Sequence, residues 1–181
     1  TALITGATSG IGMACARRFA VGGYNLIITG RSADKLQALK AELEAGGVEV
    51  LALAFDVCNR EATRDAVASI PDAFKPIDVL INNAGLARGL EPEYEGDFQD
   101  WDEMIDTNIK GLLNMTRFVV PGMVSLNHGH VINIGSVAGD AAYAGGGVYC
   151  ATKAAVKALT DGLRIDVAHT SVRVTNLKPG L

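Results

Sequence analysis

The feature that most constrains the fold of this chain is the alternation of short β-branched or aliphatic runs with longer amphipathic segments. Apolar runs of roughly four to eight residues are typical of buried strands, and apolar residues at helical spacing indicate the helices between them. We predict strands at 2–5, 25–29, 48–55, 79–82, 130–135 and 172–177, and helices at 11–22, 33–45, 60–70, 99–127 and 148–169.

A strand followed repeatedly by a helix gives βαβ units, and such units build a parallel sheet with right-handed crossovers. We therefore predict an α/β fold, a Rossmann-type doubly wound parallel sheet flanked by helices on both faces. The irregular stretch 86–97 follows a predicted strand. It should lie at the carboxyl edge of the sheet, where ligands bind in such folds.

Composition narrows the function classes. With 181 residues, 49% of them hydrophobic, we expect residues 1–181 to form a single domain. A net charge of -4 disfavours a nucleic-acid partner, and the apolar runs are too short to cross a membrane. The three cysteines form no CxxC pair, and the histidines lack ligand-like spacing. We expect no metal site and a cytoplasmic location.

A glycine-rich turn follows the first predicted strand, in the run TGATSGIG from Thr5 to Gly12. Gly6 permits a tight turn, Gly10 lets the backbone approach a pyrophosphate, and Gly12 lets the helix pack near the strand. The helix N-terminus that follows favours an anion. The spacing is GxxxGxG, and no GK[ST] follows, so this is not a P-loop. A purely structural strand-to-helix turn is the alternative.

The end of the second strand carries Gly30 and Arg31 where a fold that selects NAD places an acid. A guanidinium suits a ribose 2′-phosphate, and Ser9 and Ser32 can add hydroxyl contacts. These residues predict NADP as the cofactor. A solvated surface charge is the alternative for Arg31.

Tyr149 and Lys153 lie four residues apart in a predicted helix, so their side chains share one face. An ammonium group near a phenol favours the phenolate and lowers the tyrosine pKa, which makes Tyr149 a candidate general acid and base. Taken alone, the pair is also compatible with a surface tyrosine that stacks on a lysine stem.

Taken together, the motifs resemble those of the short-chain dehydrogenase/reductase family along the whole chain. The matching segments, in order, are TGxxxGIG at 5–12, Asp56-Val57, NNAG at 82–85, Asn108, Ser136, YxxxK at 149–153 and Pro179-Gly180. The resemblance implies hydride transfer between a nicotinamide and a carbonyl or alcohol carbon.

The resemblance also implies the catalytic roles. Tyr149 gives its proton to the carbonyl oxygen in the reduction direction, and Ser136 hydrogen-bonds the same oxygen. Lys153 lowers the Tyr149 pKa and holds the nicotinamide ribose. Asn108 holds a water that links Lys153 to solvent; a helix-kink asparagine that satisfies backbone groups is the alternative.

The expected cofactor site combines the glycine turn with residues carried over from the family. By the resemblance, residues 83–85 line the adenosine side, and the backbone of residues 179–180 passes beside the nicotinamide carboxamide. Asn82 is expected to link the ends of neighbouring strands. The full set is Gly6, Thr8, Ser9, Gly10, Ile11, Gly12, Arg31, Ser32, Asp56, Val57, Asn83, Ala84, Gly85, Tyr149, Lys153, Pro179 and Gly180.

Within the family, the chain is most similar to bacterial NADP-dependent 3-hydroxy acid dehydrogenases that oxidise serine and allo-threonine. The stretches 83–87, 106–112, 127–130 and 143–146 carry this similarity. A small, anionic 3-hydroxy acid or its carbonyl is the expected substrate. A reductase of another small carbonyl such as sulfoacetaldehyde is the first alternative. A non-catalytic dinucleotide-binding regulator is the second, although it would not need a proton donor with a paired lysine.

Three further expectations concern the surroundings of the site. Arg88 is expected at the mouth of the cleft, where it could hold a carboxylate, with simple solvation as the alternative. Glycines 139 and 145–147 are expected to present backbone donors to the substrate. The family usually forms tetramers through its two long helices, so apolar residues of 105–119 and 154–163 predict a homotetramer.

The chain begins at Thr1 and ends at Leu181, each beside an apolar run. We expect the domain to be truncated at both ends and to lack the C-terminal segment that closes the substrate pocket in the family.

Overall fold

The computed structural model describes residues 1–180, and its strands form one parallel sheet. Each strand is short and mostly apolar, and each agrees with a predicted run to within one or two residues at its ends. The strands are β1 (Ala2–Ile4), β2 (Leu26–Gly30), β3 (Val50–Ala54), β4 (Val79–Asn82), β5 (His130–Ile134) and β6 (Arg173–Leu177).

The strand order across the sheet is β3-β2-β1-β4-β5-β6, and every neighbouring pair is parallel. The chain therefore winds outward from β1 to β3, returns to the centre at β4 and winds outward in the other direction. The order reverses between β1 and β4, which is where ligands bind in doubly wound sheets. The predicted fold class is confirmed.

The helices are α1 (Gly10–Val21), α2 (Ala33–Glu44), α3 (Arg60–Ala68), α4 (Phe98–Ile105), α5 (Leu112–Ser125) and α6 (Gly147–Asp166). Side chains cap three of them, because Ser32, Asn59 and Asp97 accept backbone N–H bonds at the starts of α2, α3 and α4. The prediction of one helix over 99–127 was incomplete. A π-helical segment, Asp106–Gly111, lies between α4 and α5. Periodicity of apolar residues does not reveal such an insertion.

Two apolar clusters cover the two faces of the sheet. On one face, Ile4, Ile28 and Ile81 pack with residues of α1 and α2 such as Ala16 and Leu36. On the other face the sheet packs against α3, α5 and α6, through residues that include Leu3, Leu80, Val131, Met115, Val119 and Val167. Both faces are buried, as all-parallel sheets require. Among residues 1–180, no helix has the length and apolar character needed to span a membrane.

Candidate active site

A cleft of about 1010 Å³ opens at the carboxyl ends of the strands. It brings together most of the predicted site residues, although they are far apart in sequence. The residues that line it include Gly6, Thr8–Ile11, Arg31, Asp56, Val57, Asn83–Ala87, Ser136, Tyr143, Tyr149, Lys153, Pro179 and Gly180. Of the predicted set, Gly12, Ser32 and Asn108 do not line it.

The glycine turn has the backbone that its sequence predicts. Gly6 and Gly10 adopt φ values of 63° and 52°, in the left-handed region that favours glycine. A Cβ on Gly10 would meet no atom within 4 Å, so this backbone faces open space in the cleft. A Cβ on Gly12 would collide with the Gly6 carbonyl and the Asn83 amide. Gly12 therefore permits close packing behind the turn and does not line the cleft.

Asn83 and Thr5 brace this turn from the neighbouring strands. Asn83 donates from Nδ2 to the carbonyl oxygens of Thr5 and Gly6, at 2.9 and 3.1 Å. The hydroxyl of Thr5 accepts from the backbone N–H groups of Asn83 and Ala84, at 3.0 and 2.9 Å. The NNAG segment and the glycine turn therefore form one hydrogen-bonded unit across β1 and β4. Thr5 is 1% exposed and is not one of the predicted site residues.

The end of β2 places Arg31 at the edge of the cleft beside the glycine turn. Arg31 is exposed, and a Cβ on Gly30 would lie 2.8 Å from the Thr8 methyl carbon. Gly30 thus allows β2 to approach the turn closely. Ser32 instead caps α2, where its hydroxyl accepts the Lys35 N–H at 3.5 Å. A side chain at the Gly30 position would push Thr8 away from the cleft rim.

Ser136 follows β5 and caps a short 3₁₀ turn, Val137–Gly139. Its Oγ accepts the Ala138 N–H at 3.1 Å, which leaves the hydroxyl proton free to be donated. Backbone bonds from Gly135 to Leu177 (2.7 Å) and from Val137 to Pro179 (3.2 Å) join this turn to the end of β6. They bring Pro179 and Gly180 to the same side of the cleft as Ser136.

Tyr149 and Lys153 lie on the first turns of α6, and both side chains reach the cleft. Lys153 Nζ is 5.8 Å from the centroid of the Tyr149 ring and donates to the Ile134 carbonyl at 2.8 Å. Lys153 is 8% exposed, and its burial lowers the pKa of the ammonium to about 8. A Cβ on Gly139 would lie 2.7 Å from the Lys153 carbonyl, so glycine allows the Ser136 turn to pack on α6.

Asn108 lies in the π segment, 2% exposed, behind the cleft. Its Oδ1 accepts the Leu86 N–H at 2.8 Å, and its Nδ2 donates to the Leu86 carbonyl (2.9 Å) and the Thr152 hydroxyl (3.0 Å). The side chain therefore satisfies backbone groups of the loop after β4, and its role in holding a water stays a prediction. Thr152 in turn donates to the Tyr149 carbonyl at 2.8 Å. Asn108 fixes the loop after β4 against the helix that carries Tyr149 and Lys153.

Two groups expected on the substrate side, Arg88 and glycines 145–147, line a smaller pocket that shares Tyr143 and Tyr149 with the large cleft. Arg88 does not line the large cleft; its Nε is 3.3 Å from Glu103 Oε2, and the side chain is half exposed. Nor do glycines 145–147 present their backbone to that cleft. A side chain on any of them would collide with neighbouring atoms, namely the Leu90 carbonyl, the Tyr143 ring and the Glu93 carboxylate. These glycines let the 86–97 loop pack against the start of α6. Small side chains, Ala138, Ala141 and Ala142, line the cleft instead.

The family model described as short chain dehydrogenase matches residues 1–181. The chain belongs to the short-chain dehydrogenase family. Its match to the NADP-dependent 3-hydroxy acid dehydrogenase of Salmonella typhi is 55% identical over 179 residues, 99% of this chain and 71% of the relative. The serine 3-dehydrogenase of Rhizobium radiobacter is 48% identical over 181 residues, 100% of this chain and 71% of the relative.

Among solved structures, the closed form of serine dehydrogenase complexed with NADP⁺ superposes with a TM-score of 0.96. It is 51% identical, and the match covers 99% of this chain and 71% of that one. The cleft of the present chain suits such a cofactor. Gly10 leaves open space at the start of α1, Arg31 stands at the rim, and Asp56 and Val57 line the adjoining wall.

Several buried polar residues around this short-chain dehydrogenase site were not found from sequence. Thr5, Asn133, Thr152 and Thr160 are each at most 1% exposed and form hydrogen bonds that join separate elements. The only sequence signal is a polar residue inside an otherwise apolar strand or helix face. That signal does not say which partner such a residue meets, because the partners are distant in sequence.

Proposed function

We propose that this short-chain dehydrogenase is an NADP-dependent enzyme that interconverts a small 3-hydroxy acid, such as serine, and the matching carbonyl compound. The observation that carries the proposal is the convergence of Ser136, Tyr149 and Lys153 in one cleft with the glycine turn and Arg31. The names of the relatives support the substrate class, since one is a 3-hydroxy acid dehydrogenase and another a serine 3-dehydrogenase.

The proposed cofactor, NADP, would bind in the nucleotide half of the cleft, which is the part formed by the glycine turn, Arg31, Asp56 and Val57. The N–H groups at the start of α1 and the open backbone at Gly10 would hold the pyrophosphate. Arg31 would hold the 2′-phosphate, and Asp56 and Val57 would contact the adenine. When bound, the nicotinamide cofactor supplies or accepts the hydride.

The catalytic residues move a proton and orient the reacting oxygen. Tyr149 donates its phenolic proton to the substrate oxygen during reduction and removes it during oxidation. Ser136 has a free hydroxyl proton and hydrogen-bonds the same oxygen, which stabilises the developing alkoxide. Lys153, buried beside Tyr149, favours the phenolate by its charge and would hold the ribose hydroxyls.

The small size of the proposed substrate rests on the names of the relatives. On the substrate side of the cleft, alanines 138, 141 and 142 lie together with Val137 and Tyr143. A competition of kcat/KM values tests the class. L-serine and 3-hydroxypropionate with NADP, and small acidic semialdehydes and sulfoacetaldehyde with NADPH, are compared with a long-chain ketone, a sugar and a sterol. If the kcat/KM of the large apolar ketone exceeds that of the small acids by about tenfold, which corresponds to about 1.4 kcal/mol, the acid class is contradicted.

The same assay separates an enzyme from a cofactor-binding regulator. A regulator would bind NADPH, which a fluorescence titration detects, without turnover of any carbonyl or alcohol. An enzyme shows turnover that depends on Tyr149, whose proton a regulator does not need.

We further propose that the protein is a cytoplasmic homotetramer. Three free cysteines fit a reducing compartment. Of the apolar residues expected at the interface, Leu112, Met115, Val119 and Val156 are buried in the subunit, whereas Ile105 and Leu113 are 38% and 42% exposed. The apolar surface that α4 and α5 offer to an interface is therefore smaller than the sequence predicted. Light scattering at micromolar concentration measures the assembly, and a monomer contradicts it.

A further inference from the structure

Helix α6 carries Tyr149 and Lys153, whereas the turn after β5 carries Ser136. The relative position of these groups therefore depends on how α6 sits on β5. Within residues 1–180, two hydrogen bonds made by side chains join the two elements. Lys153 Nζ donates to the Ile134 carbonyl at 2.8 Å, and Asn133 Nδ2 donates to Thr160 Oγ1 at 2.9 Å.

The second bond belongs to a chain that runs from the centre of the sheet into α6. Asn82 Nδ2 donates to Asn133 Oδ1 at 2.9 Å, and Asn133 donates to Thr160. Thr160 Oγ1 then donates to the Val156 carbonyl at 2.6 Å. The first two bonds point from β4 toward α6, and the third lies within α6. The chain ends at Val156, one helical turn after Lys153.

The members of this chain are deeply buried and lie in register. Asn82, Asn133 and Thr160 are 5%, 1% and 0% exposed. Asn133 is the cross-strand partner of Asn82 on β4 and of Asn176 on β6, so an asparagine stands on each of three adjacent strands. Apolar residues at these sites would satisfy packing without the cost of burying amides. A hydrogen bond adds what apolar contact lacks, a defined distance and direction.

The two bonds between β5 and α6 differ in their surroundings. Lys153 lines the cleft, and its ammonium has three N–H donors, so it can hold the ribose hydroxyls while it donates to the Ile134 carbonyl. The Asn133–Thr160 bond involves no group that lines the cleft.

We propose that Asn133 and Thr160 are positioning residues, which hold α6 at the distance from β5 that aligns Tyr149 with Ser136. The proposal rests on the proposed function. Neither residue lines the cleft, so neither touches substrate or cofactor. Their effect on turnover acts through the placement of α6, and a shift of about 1 Å in a reacting group can cost up to about 100-fold in rate.

Two substitutions of Thr160 separate positioning from stability. Thr160→Val keeps the shape of the side chain and removes the hydroxyl that accepts from Asn133. We expect kcat at saturating cofactor to fall about tenfold. We expect the Kd for NADPH, measured by fluorescence titration, to stay within about twofold. Thr160→Ser keeps the hydroxyl and loses a buried methyl group. We expect a lower Tm but a kcat within about twofold of the wild type.

Thr63 supplies a matched control, because it is 0% exposed and its hydroxyl donates to the carbonyl four residues earlier, at 2.8 Å, as that of Thr160 does. Thr63→Val in α3 should lower Tm and leave kcat at saturating cofactor within about twofold. A fully active Thr160→Val variant overturns the inference, as does a kcat loss in Thr160→Ser equal to that in Thr160→Val. Wild-type protein without turnover overturns the proposed function and this inference together. An active wild type with an equally active Thr160→Val variant overturns this inference alone.

Discussion

The nucleotide half of the cleft and its catalytic half are built in different ways. The nucleotide half uses a contiguous run, residues 5–12, whose function depends on backbone conformation and on glycines that allow close approach. The catalytic half gathers Ser136, Tyr149 and Lys153 from separate elements, and buried amides and hydroxyls hold those elements together.

This difference predicts which property a substitution in each half should alter. A turn formed by neighbouring residues presents N–H groups to a ligand, so its substitutions should alter cofactor affinity. An assembly of distant side chains controls alignment for proton transfer, so its substitutions should alter turnover. Lys153 lies at the junction, because it shares the cleft wall with Tyr149 and is proposed to hold the ribose as well.

The largest expected effect belongs to the catalytic half. Tyr149→Phe keeps the ring and removes the proton, so kcat should fall at least about 100-fold, the lower end of general acid–base catalysis. The Kd for NADPH should remain close to that of the wild type, since the ring still lines the cleft. Steady-state kinetics and a binding titration measure the two quantities. A variant that retains more than about a hundredth of the rate identifies another proton donor.

The pKa of Lys153 provides a test at the junction between the two halves of the cleft. Burial lowers that pKa to about 8 from 10.5, so between these pH values the folded protein binds fewer protons than the unfolded chain. The Lys153 contribution to the free energy of unfolding therefore rises with pH through this window, by a few kcal/mol. Below about pH 8 the ammonium is charged in both states, and the contribution is constant at its lowest value.

Chemical denaturation of wild type and Lys153→Met across this pH window measures the effect. The stability of the wild type relative to the variant should increase as the pH rises. Lys157→Met is the control, because Lys157 lies on the same helix with 46% of its side chain exposed. A wild-type-to-variant difference that does not change with pH is inconsistent with a charged lysine buried at this site.

A substitution of Arg31 tests the nucleotide half of the cleft. Loss of its charge-assisted contact in Arg31→Ala should cost about 1.5–3 kcal/mol, roughly ten- to a hundredfold in NADPH affinity. NADH affinity and kcat at saturating cofactor should change little. Arg18→Ala, an exposed arginine on α1, provides the control. Equal losses for both cofactors would refute the assignment to the 2′-phosphate.

The smallest effect is expected outside both halves. Arg88 forms an exposed pair with Glu103, at 3.3 Å, and such pairs contribute at most about 1 kcal/mol. Arg88→Ala should leave the KM for a small hydroxy acid and kcat unchanged within error. A selective rise in that KM would place Arg88 in the substrate site.

The strands, the helix positions and the doubly wound fold class could be predicted because each depends on local pattern, whereas most of the cleft residues were predicted from the family resemblance. Apolar runs identify strands, and a chain that alternates strand and helix has few topologies open to it. The Gly145–Gly147 run shows a limit of such prediction. Glycine permits close approach of any group, and the sequence does not say whether that group is a ligand or a neighbouring loop.

The sequence by itself determined the parallel α/β fold, the glycine turn and the Tyr149–Lys153 pair, since these follow from periodicity and from backbone conformations that few residues adopt. Only the tertiary structure decided that Asn108 clamps the loop after β4, that Arg88 pairs with Glu103 and that Asn133 meets Thr160. The physical reason is that a buried polar side chain must find a partner, and folding brings that partner from distant parts of the chain.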